Sequence, residues 1–193
     1  MGKASSKLDK AQVAQLVNVT HMDNKEIQQW YKGFLKEFPS GNLQAEDLRR
    51  VFRVYFPWGD PTEYSDLVFK PLVDKSPEQA ASINFEQFIL ALNVAARGNH
   101  DQKFEWMFKL YDQNRDGLVS RDDMLKVVTA IFKMAGCMID LGEHENTPQK
   151  QVDNIFALMG GNDIQSITLP QFKAGIVKDP KILASMDLYN DLV

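Results

Sequence analysis

Hydrophobic and polar positions follow one another with helical spacing almost from end to end of this chain, and no stretch reads as a long strand. Local signals mark where helices begin. Asp23 and Glu26 form a capping-box pair ahead of "IQQWYKGFL", Asp60 followed by Pro61 and Glu63 opens a segment that runs through Val73, and Thr147 with Pro148 opens another that ends near Met159. Gly98 and Gly136 fall where helices should stop, as left-handed C-terminal caps. The loops between helices repeat one another: "GNLQAEDL", "ASINFEQF", "GLVSRDDM" and "QSITLPQF" each carry an aliphatic residue followed by a polar one that leads into the next helix. Leu43, Ile83, Val119 and Ile167 are the aliphatic centres, and Leu48, Phe88, Met124 and Phe172 the first core residues of the exiting helices. A helix-loop-helix unit repeated four times predicts two pairs.

One of these loops holds far more oxygen than a turn requires. In a helix-loop-helix calcium unit, positions 1, 3, 5, 7, 9 and 12 supply the ligands and a glycine at position 6 permits the sharp turn. With Gly117 at position 6 of "LYDQNRDGLVSRDDM", Asp112, Asn114 and Asp116 fall at 1, 3 and 5, the Leu118 carbonyl at 7, Ser120 at 9 and Asp123 at 12. Three carboxylates this close repel one another unless a cation lies between them, so the loop is a candidate divalent-metal site. The first loop, "KEFPSGNLQAED", has Lys36 at position 1 and Phe38 at 3 beside Pro39, a cation and a phenyl ring where ligands are wanted. The second, between Val73 and Phe88, lacks a glycine at the turn, is lengthened, and offers Gln87 in place of a carboxylate. In the fourth, "GGNDIQSITLPQ", Gly160, Ile164 and Gln171 occupy positions 1, 5 and 12, which leaves Asn162 and Thr168 as ligands. Both read as loops that keep the pairing geometry without the ion.

Composition narrows the class. A chain of 193 residues, 44% hydrophobic and 25% charged, can bury a core as one large domain or two small ones. A net charge of -4 argues against nucleic acid as a partner. Cys137 is the only cysteine, which excludes an internal disulfide and fits a reducing compartment. No apolar run approaches the roughly 20 residues of a membrane span, and no secretory leader precedes the polar start, so a cytoplasmic protein is expected. The opening "MGKASSKLDK" qualifies this, because Gly2 with Ser6 forms an N-myristoyl acceptor signal. One myristoyl chain binds membrane only marginally, but lysines such as Lys3, Lys7 and Lys10 each add about 1 kcal/mol on an anionic leaflet. A reversible peripheral anchor is expected. His21, His100 and His144 stand apart with no carboxylate or thiol at catalytic spacing, so the chain does not read as an enzyme.

The stretches "MGK", "EIQQWYKGFL", "PSG", "FPWGDP", "LYDQNRDG", "ENTPQK" and "DPKILASMDLYNDLV" cover the chain from end to end and resemble the neuronal calcium sensor family of recoverin-type EF-hand proteins, its frequenin branch in particular. The resemblance implies an all-α fold of two lobes, each a pair of EF-hand helix-loop-helix units with short β pairing between the loops. It divides the chain into a myristoylated segment (1–22), an N-lobe with both loops degenerate (23–98), a C-lobe whose third loop is metal-competent (99–178), and a tail (179–193). It further implies myristate on Gly2 and a membrane-bound target protein: a lipid kinase such as a phosphatidylinositol 4-kinase, a receptor kinase, an exchange factor or a channel. Trp30, Phe34, Phe52, Tyr55, Phe85 and Phe88 match positions that line the family's target groove, where an amphipathic helix lays its apolar face.

The departures from that pattern alter the expectation. Frequenin-type relatives bind calcium at the second, third and fourth loops, whereas here only Asp112 to Asp123 keeps its ligands, and Phe38 replaces the usual cysteine before Pro39. Asp123 is one methylene shorter than the family's glutamate, which makes two-oxygen coordination harder and six-coordinate, magnesium-like geometry easier. One weak calcium or magnesium site is expected. With three loops silent, the ion supplies little differential energy between closed and open lobes, so the groove should stay open at any calcium level. In the alternative, the third loop alone shifts partner affinity or releases the myristoyl chain. The tail, apolar at Ile182, Leu183, Met186, Leu188, Tyr189, Leu192 and Val193, is expected to cover part of the groove as a short amphipathic helix.

Overall fold

The computed structural model describes residues 8–20, 22–73, 81–136, 147–161 and 163–178. Gly2 with the rest of the acceptor signal, His21, the middle of the second loop, Cys137, His144, Asn162 and the tail lie outside them.

The described chain is all-α apart from two short antiparallel pairings. In order, it runs α1 (Lys10–Val19), α2 (Asn24–Glu37), β1 (Asn42–Leu43), α3 (Ala45–Tyr55), α4 (Thr62–Leu72), β2 (Ile83–Asn84) and α5 (Phe85–Arg97), then α6 (His100–Tyr111), β3 (Leu118–Ser120), α7 (Arg121–Ala135), α8 (Pro148–Met159), β4 (Ser166–Thr168) and α9 (Leu169–Ile176). β1 pairs with β2 and β3 with β4, and the register sets Leu43 opposite Ile83 and Val119 opposite Ile167. The four aliphatic centres of the repeated loops therefore meet two by two, each pair fully buried. Two or three residues of ladder suffice here because the side chains they carry close the top of each core.

Most helices begin on a reciprocal cap. Asp9 with Gln12, Asp23 with Glu26, Asn84 with Gln87, Asn99 with Gln102, Ser120 with Asp123 and Thr168 with Gln171 each satisfy two backbone N–H groups that the first turn leaves free. Such a cap is worth about 1 kcal/mol. At α4 the arrangement differs: Pro61 holds the cap position, and the Asp60 carboxylate accepts from the Thr62 N–H at 3.0 Å. Gly136 ends α7 where the spacing predicts, with a positive φ of 52 but a ψ of -130 that lies outside the left-handed helical cap. Gly98 does not take a left-handed conformation. Its φ is -63, and what it requires is room, because a Cβ there would run into the Val94 carbonyl.

Two lobe cores result. Ile27, Phe34, Leu43, Ile83, Phe85 and Ile89 fill the first, which also takes in Leu16 of α1, so the N-terminal helix packs as part of that lobe. Phe104, Phe108, Val119, Met124, Phe156, Ile167 and Phe172 fill the second. A third cluster joins them: Val68 of α4 packs with Leu110 and Val127 of α6 and α7, ringed by Phe52, Tyr64, Trp106, Tyr111 and Ile131. Along this seam the Asp60 N–H donates to the Lys133 carbonyl at 2.8 Å, and the Lys133 ammonium meets Glu63 at 2.7 Å. The "FPWGDP" turn crosses the end of α7 backbone to backbone. A Cβ on Gly59 would overlap the Met134 carbonyl, and one on Gly136 would overlap the Trp58 carbonyl.

Candidate functional site

The third loop is braced by its own side chains. Asp112, buried at the end of α6, accepts from the Asp116 N–H at 3.1 Å through one carboxylate oxygen and from the Gly117 N–H at 3.0 Å through the other. The Asn114 amide oxygen accepts from the Asp116 N–H at 3.1 Å, and Asp116 accepts from the Leu118 N–H at 2.8 Å. These bonds wind the backbone tightly enough that Arg115 and Gly117 sit at φ 61 and 83, a conformation that suits glycine and is sparsely used by other residues. The fold thus brings positions 1, 3 and 5 together.

Position 12 is turned elsewhere. Asp123 is the third residue of α7, and its Oδ2 accepts from the Ser120 hydroxyl at 2.6 Å and from the Ser120 N–H at 3.3 Å. Its Oδ1 lies 3.6 Å from the Lys126 ammonium. Among the described residues no three His, Cys, Asp or Glu side chains gather at metal-holding distance. The oxygens of Asp112, Asn114 and Asp116 with the Leu118 carbonyl suit one divalent cation, and closing the cage requires Asp123 to share oxygens already committed to the helix cap.

The same double demand recurs in the other loops. Position 12 caps the exiting helix in each: Asp47 accepts from the Gln44 N–H at 2.9 Å, Gln87 from the Asn84 N–H at 2.9 Å, and Gln171 from the Thr168 N–H at 2.9 Å. A glutamine meets the capping demand without carrying charge to an ion. In the first loop Phe38, at position 3, points into the core with its ring 5.0 Å from that of Phe34. In the fourth loop a protein cation is built in. The Arg121 guanidinium donates to the Ile164 carbonyl at 3.2 Å and to Asp153 at 2.6 Å, and its carbon lies 4.5 Å from the centre of the Phe156 ring. The sequence reading missed Arg121, since it sits in the third unit and reaches the fourth only through the β3–β4 pairing.

The six groove candidates divide by burial. Phe34 and Phe85 are core residues with rings 5.5 Å apart. Trp30 and Phe88 are half-buried at their margin, Phe88 5.1 Å from Phe34 and Trp30 6.4 Å from Phe88. Phe52 packs edge-on against Tyr64 at 5.5 Å in the seam between lobes. Tyr55 stands in solvent, 72% exposed, together with Val51, Val54 and Trp58. Sequence reading left Val51, Val54 and Trp58 out of the groove; Val51, Val54 and Tyr55 have the i, i+3, i+4 spacing of one helical face, and Trp58 lies in the turn after α3. Leu48 packs against both the first core and the seam, so α3 joins the aromatic cluster to this exposed strip. Arg49, Arg50 and Arg53 flank the strip, paired with Asp66, Asp47 and Glu46 respectively. Hydrogen bonds from Arg49 and Arg53, with their charges, hold the Glu46 carboxyl below the usual range.

No family model matches the chain. Over 188 residues, 97% of this chain and 97% of the relative, it is 38% identical to neuronal calcium sensor 1 of Lymnaea stagnalis. It is 33% identical to S-modulin of Aquarana catesbeiana over 93% of this chain and 88% of that protein, and 30% identical to visinin of Gallus gallus over 93% of both.

Proposed function

The chain belongs to the neuronal calcium sensor family, whose members are EF-hand regulators, and from that premise we propose that it is a membrane-anchored regulatory protein that holds an amphipathic helix of a target protein against its first lobe with little dependence on calcium. The observation that carries this reading is the set of exposed apolar side chains Val51, Val54, Tyr55 and Trp58 on and just after α3, a helix whose Leu48 packs with Trp30 and Phe88 against the first core. Contiguous apolar surface left in water is costly unless a partner covers it, and a strip at helical spacing suits a second helix. Calcium or magnesium binds at one weak site, held by Asp112, Asn114, Asp116, the Leu118 carbonyl, Ser120 and Asp123, where it stiffens the third loop. Myristate on Gly2 attaches the protein to the cytoplasmic face of a membrane, where the target, a lipid kinase, receptor kinase, exchange factor or channel, resides. Among the described residues no helix is long and apolar enough to cross a membrane, which leaves attachment to the lipid chain and nearby lysines.

Recovery of partners on the immobilised protein in chelator, in magnesium and in calcium tests this: equal recovery in all three is expected, and recovery in calcium alone overturns it. One observation favours a second reading, a calcium sensor working through the third loop alone. Its first arm is already shaped by the Asp112 and Asp116 bonds, so an ion pays little to order it, and calcium-only recovery is the result that reading requires.

A further inference from the structure

Beside the third loop, at the junction of the lobes, lies a cavity of about 330 Å³ whose walls include Lys70 near the end of α4, Lys109 in the last turn of α6, and Arg115 of the loop itself. We propose that this cavity is a binding site for a phosphate monoester, with Lys70, Lys109 and Arg115 as its cationic ligands. The proposal is independent of the target-helix reading above.

Three observations carry it. First, three cations line one cavity without a carboxylate partner among the described residues. None of Lys70, Lys109 and Arg115 makes an ion pair among the described residues, as is also true of the surface lysines Lys25, Lys32 and Lys36, but only these three share one cavity. Second, Asp112, the acidic residue among the described residues of the wall, accepts from the Asp116 and Gly117 N–H groups through its two oxygens and forms no ion pair with the three cations, so its single negative charge offsets only part of theirs. Three positive charges against one negative suit an anion carrying nearly two, and a phosphate monoester, with a second pKa near 6, carries between one and two at neutral pH. Third, the arrangement is held in place. Arg115 adopts φ 61, and its guanidinium donates to the Lys70 carbonyl at 3.3 Å, which ties the loop to the end of α4. A guanidinium and two lysines in the wall of one cavity supply both the forked and the point-charge donors that phosphate oxygens accept.

The phosphate could sit on a lipid headgroup or on a soluble molecule, and the test separates the two. Full-length protein expressed without acylation, in chelator so that no metal occupies the loop, is titrated with inorganic phosphate while backbone amide resonances are followed. In parallel it is sedimented with phosphatidylcholine vesicles containing phosphatidylinositol bisphosphate, or with vesicles brought to equal charge by phosphatidylserine. The expected result is saturable shifts at residues 70, 109 and 115, and retention on the phosphoinositide vesicles above the serine control. The variant K70Q/K109Q/R115N, in which asparagine tolerates the left-handed backbone, should lose at least about tenfold in both affinities with its helical signal unchanged. Phosphate shifts without vesicle preference also support the site and assign it a soluble ligand. Absence of saturable shifts, or equal retention on both vesicle types that the variant leaves unchanged, overturns it. If the triple variant fails to fold, R115N alone must weaken phosphate binding for the proposal to stand.

Discussion

At position 12 of the third loop the Asp123 carboxylate is held by the Ser120 hydroxyl and N–H, and a cation must draw on the same oxygens. Asp123→Glu lengthens the side chain by one methylene, enough to cap α7 and still reach into the loop. Calcium affinity should rise roughly ten- to a hundredfold by calorimetry, within the range that ligand geometry tunes in such loops, and unchanged affinity would show that position 12 is not what limits the site. A different constraint acts at Gly59. Its Cα faces the Met134 carbonyl with no room for a Cβ, and because the obstacle is backbone, relief requires the seam to open. Gly59→Ala should cost about 1–3 kcal/mol, as overpacking usually does, and lower the melting temperature by several degrees in a scan of the full chain.

At the scale of elements, α3 and the fourth loop make opposite cases. The outer face of α3 supports nothing inside the protein, so changing it should leave stability alone. Val54→Gln with Tyr55→Gln should leave the melting curve within about 0.5 kcal/mol of the parent and abolish recovery of a target helix; if binding survives, the strip is not the docking face. Arg121 is the reverse, a side chain that ties α7, α8 and the fourth loop together. Arg121→Gln leaves the Ile164 carbonyl and Asp153 short of a donor, at about 1–3 kcal/mol. Hydrogen exchange should quicken at the β4 amides while β1 and β2 keep their protection, and uniform loss across both lobes would rule out a local brace.

For the whole molecule, acid offers a test of how far ion pairs hold elements together. Glu26 of α2 meets Arg97 at the end of α5 at 2.8 Å, and that hydrogen bond, the Asp23 N–H and the arginine charge hold its carboxyl below the ordinary 4.5. A depressed carboxylate binds its proton more readily in the unfolded chain. Its contribution is therefore fully present above the unfolded value, shrinks as pH falls below 4.5, and is lost once pH passes the lower folded value. Glu46, depressed by Arg49 and Arg53, follows the same sign. Glu26→Gln should flatten the decline in stability across this acid window and change little at neutral pH; an equally steep decline would mean that other carboxylates govern it. The Glu26 side chain is more than a third open to solvent, so the effect at neutral pH should be small.

Legible in the sequence alone were most of the helices, N-terminal caps such as Asp23 with Glu26 and Thr147, the four paired loops and the loop with oxygen at every ligand position, because all of these depend on residues a few positions apart. Capping boxes join residues three apart, the loop pattern spans twelve positions, and the aliphatic centres repeat with the unit. Tertiary structure decided the features that depend on residues far apart in the chain. Arg121 reaches the fourth loop only because β3 and β4 pair, and Gly59 needs its missing side chain only because the end of α7 crosses it. Lys70, Lys109 and Arg115 surround one cavity only because α4 packs on α6. It also separated the aromatic residues that the sequence could only group: Phe34 and Phe85 are enclosed by the first lobe, while Tyr55, on a helix whose inner side chains are only half-buried, is left in water. Burial depends on what packs above a side chain, and no local pattern records that.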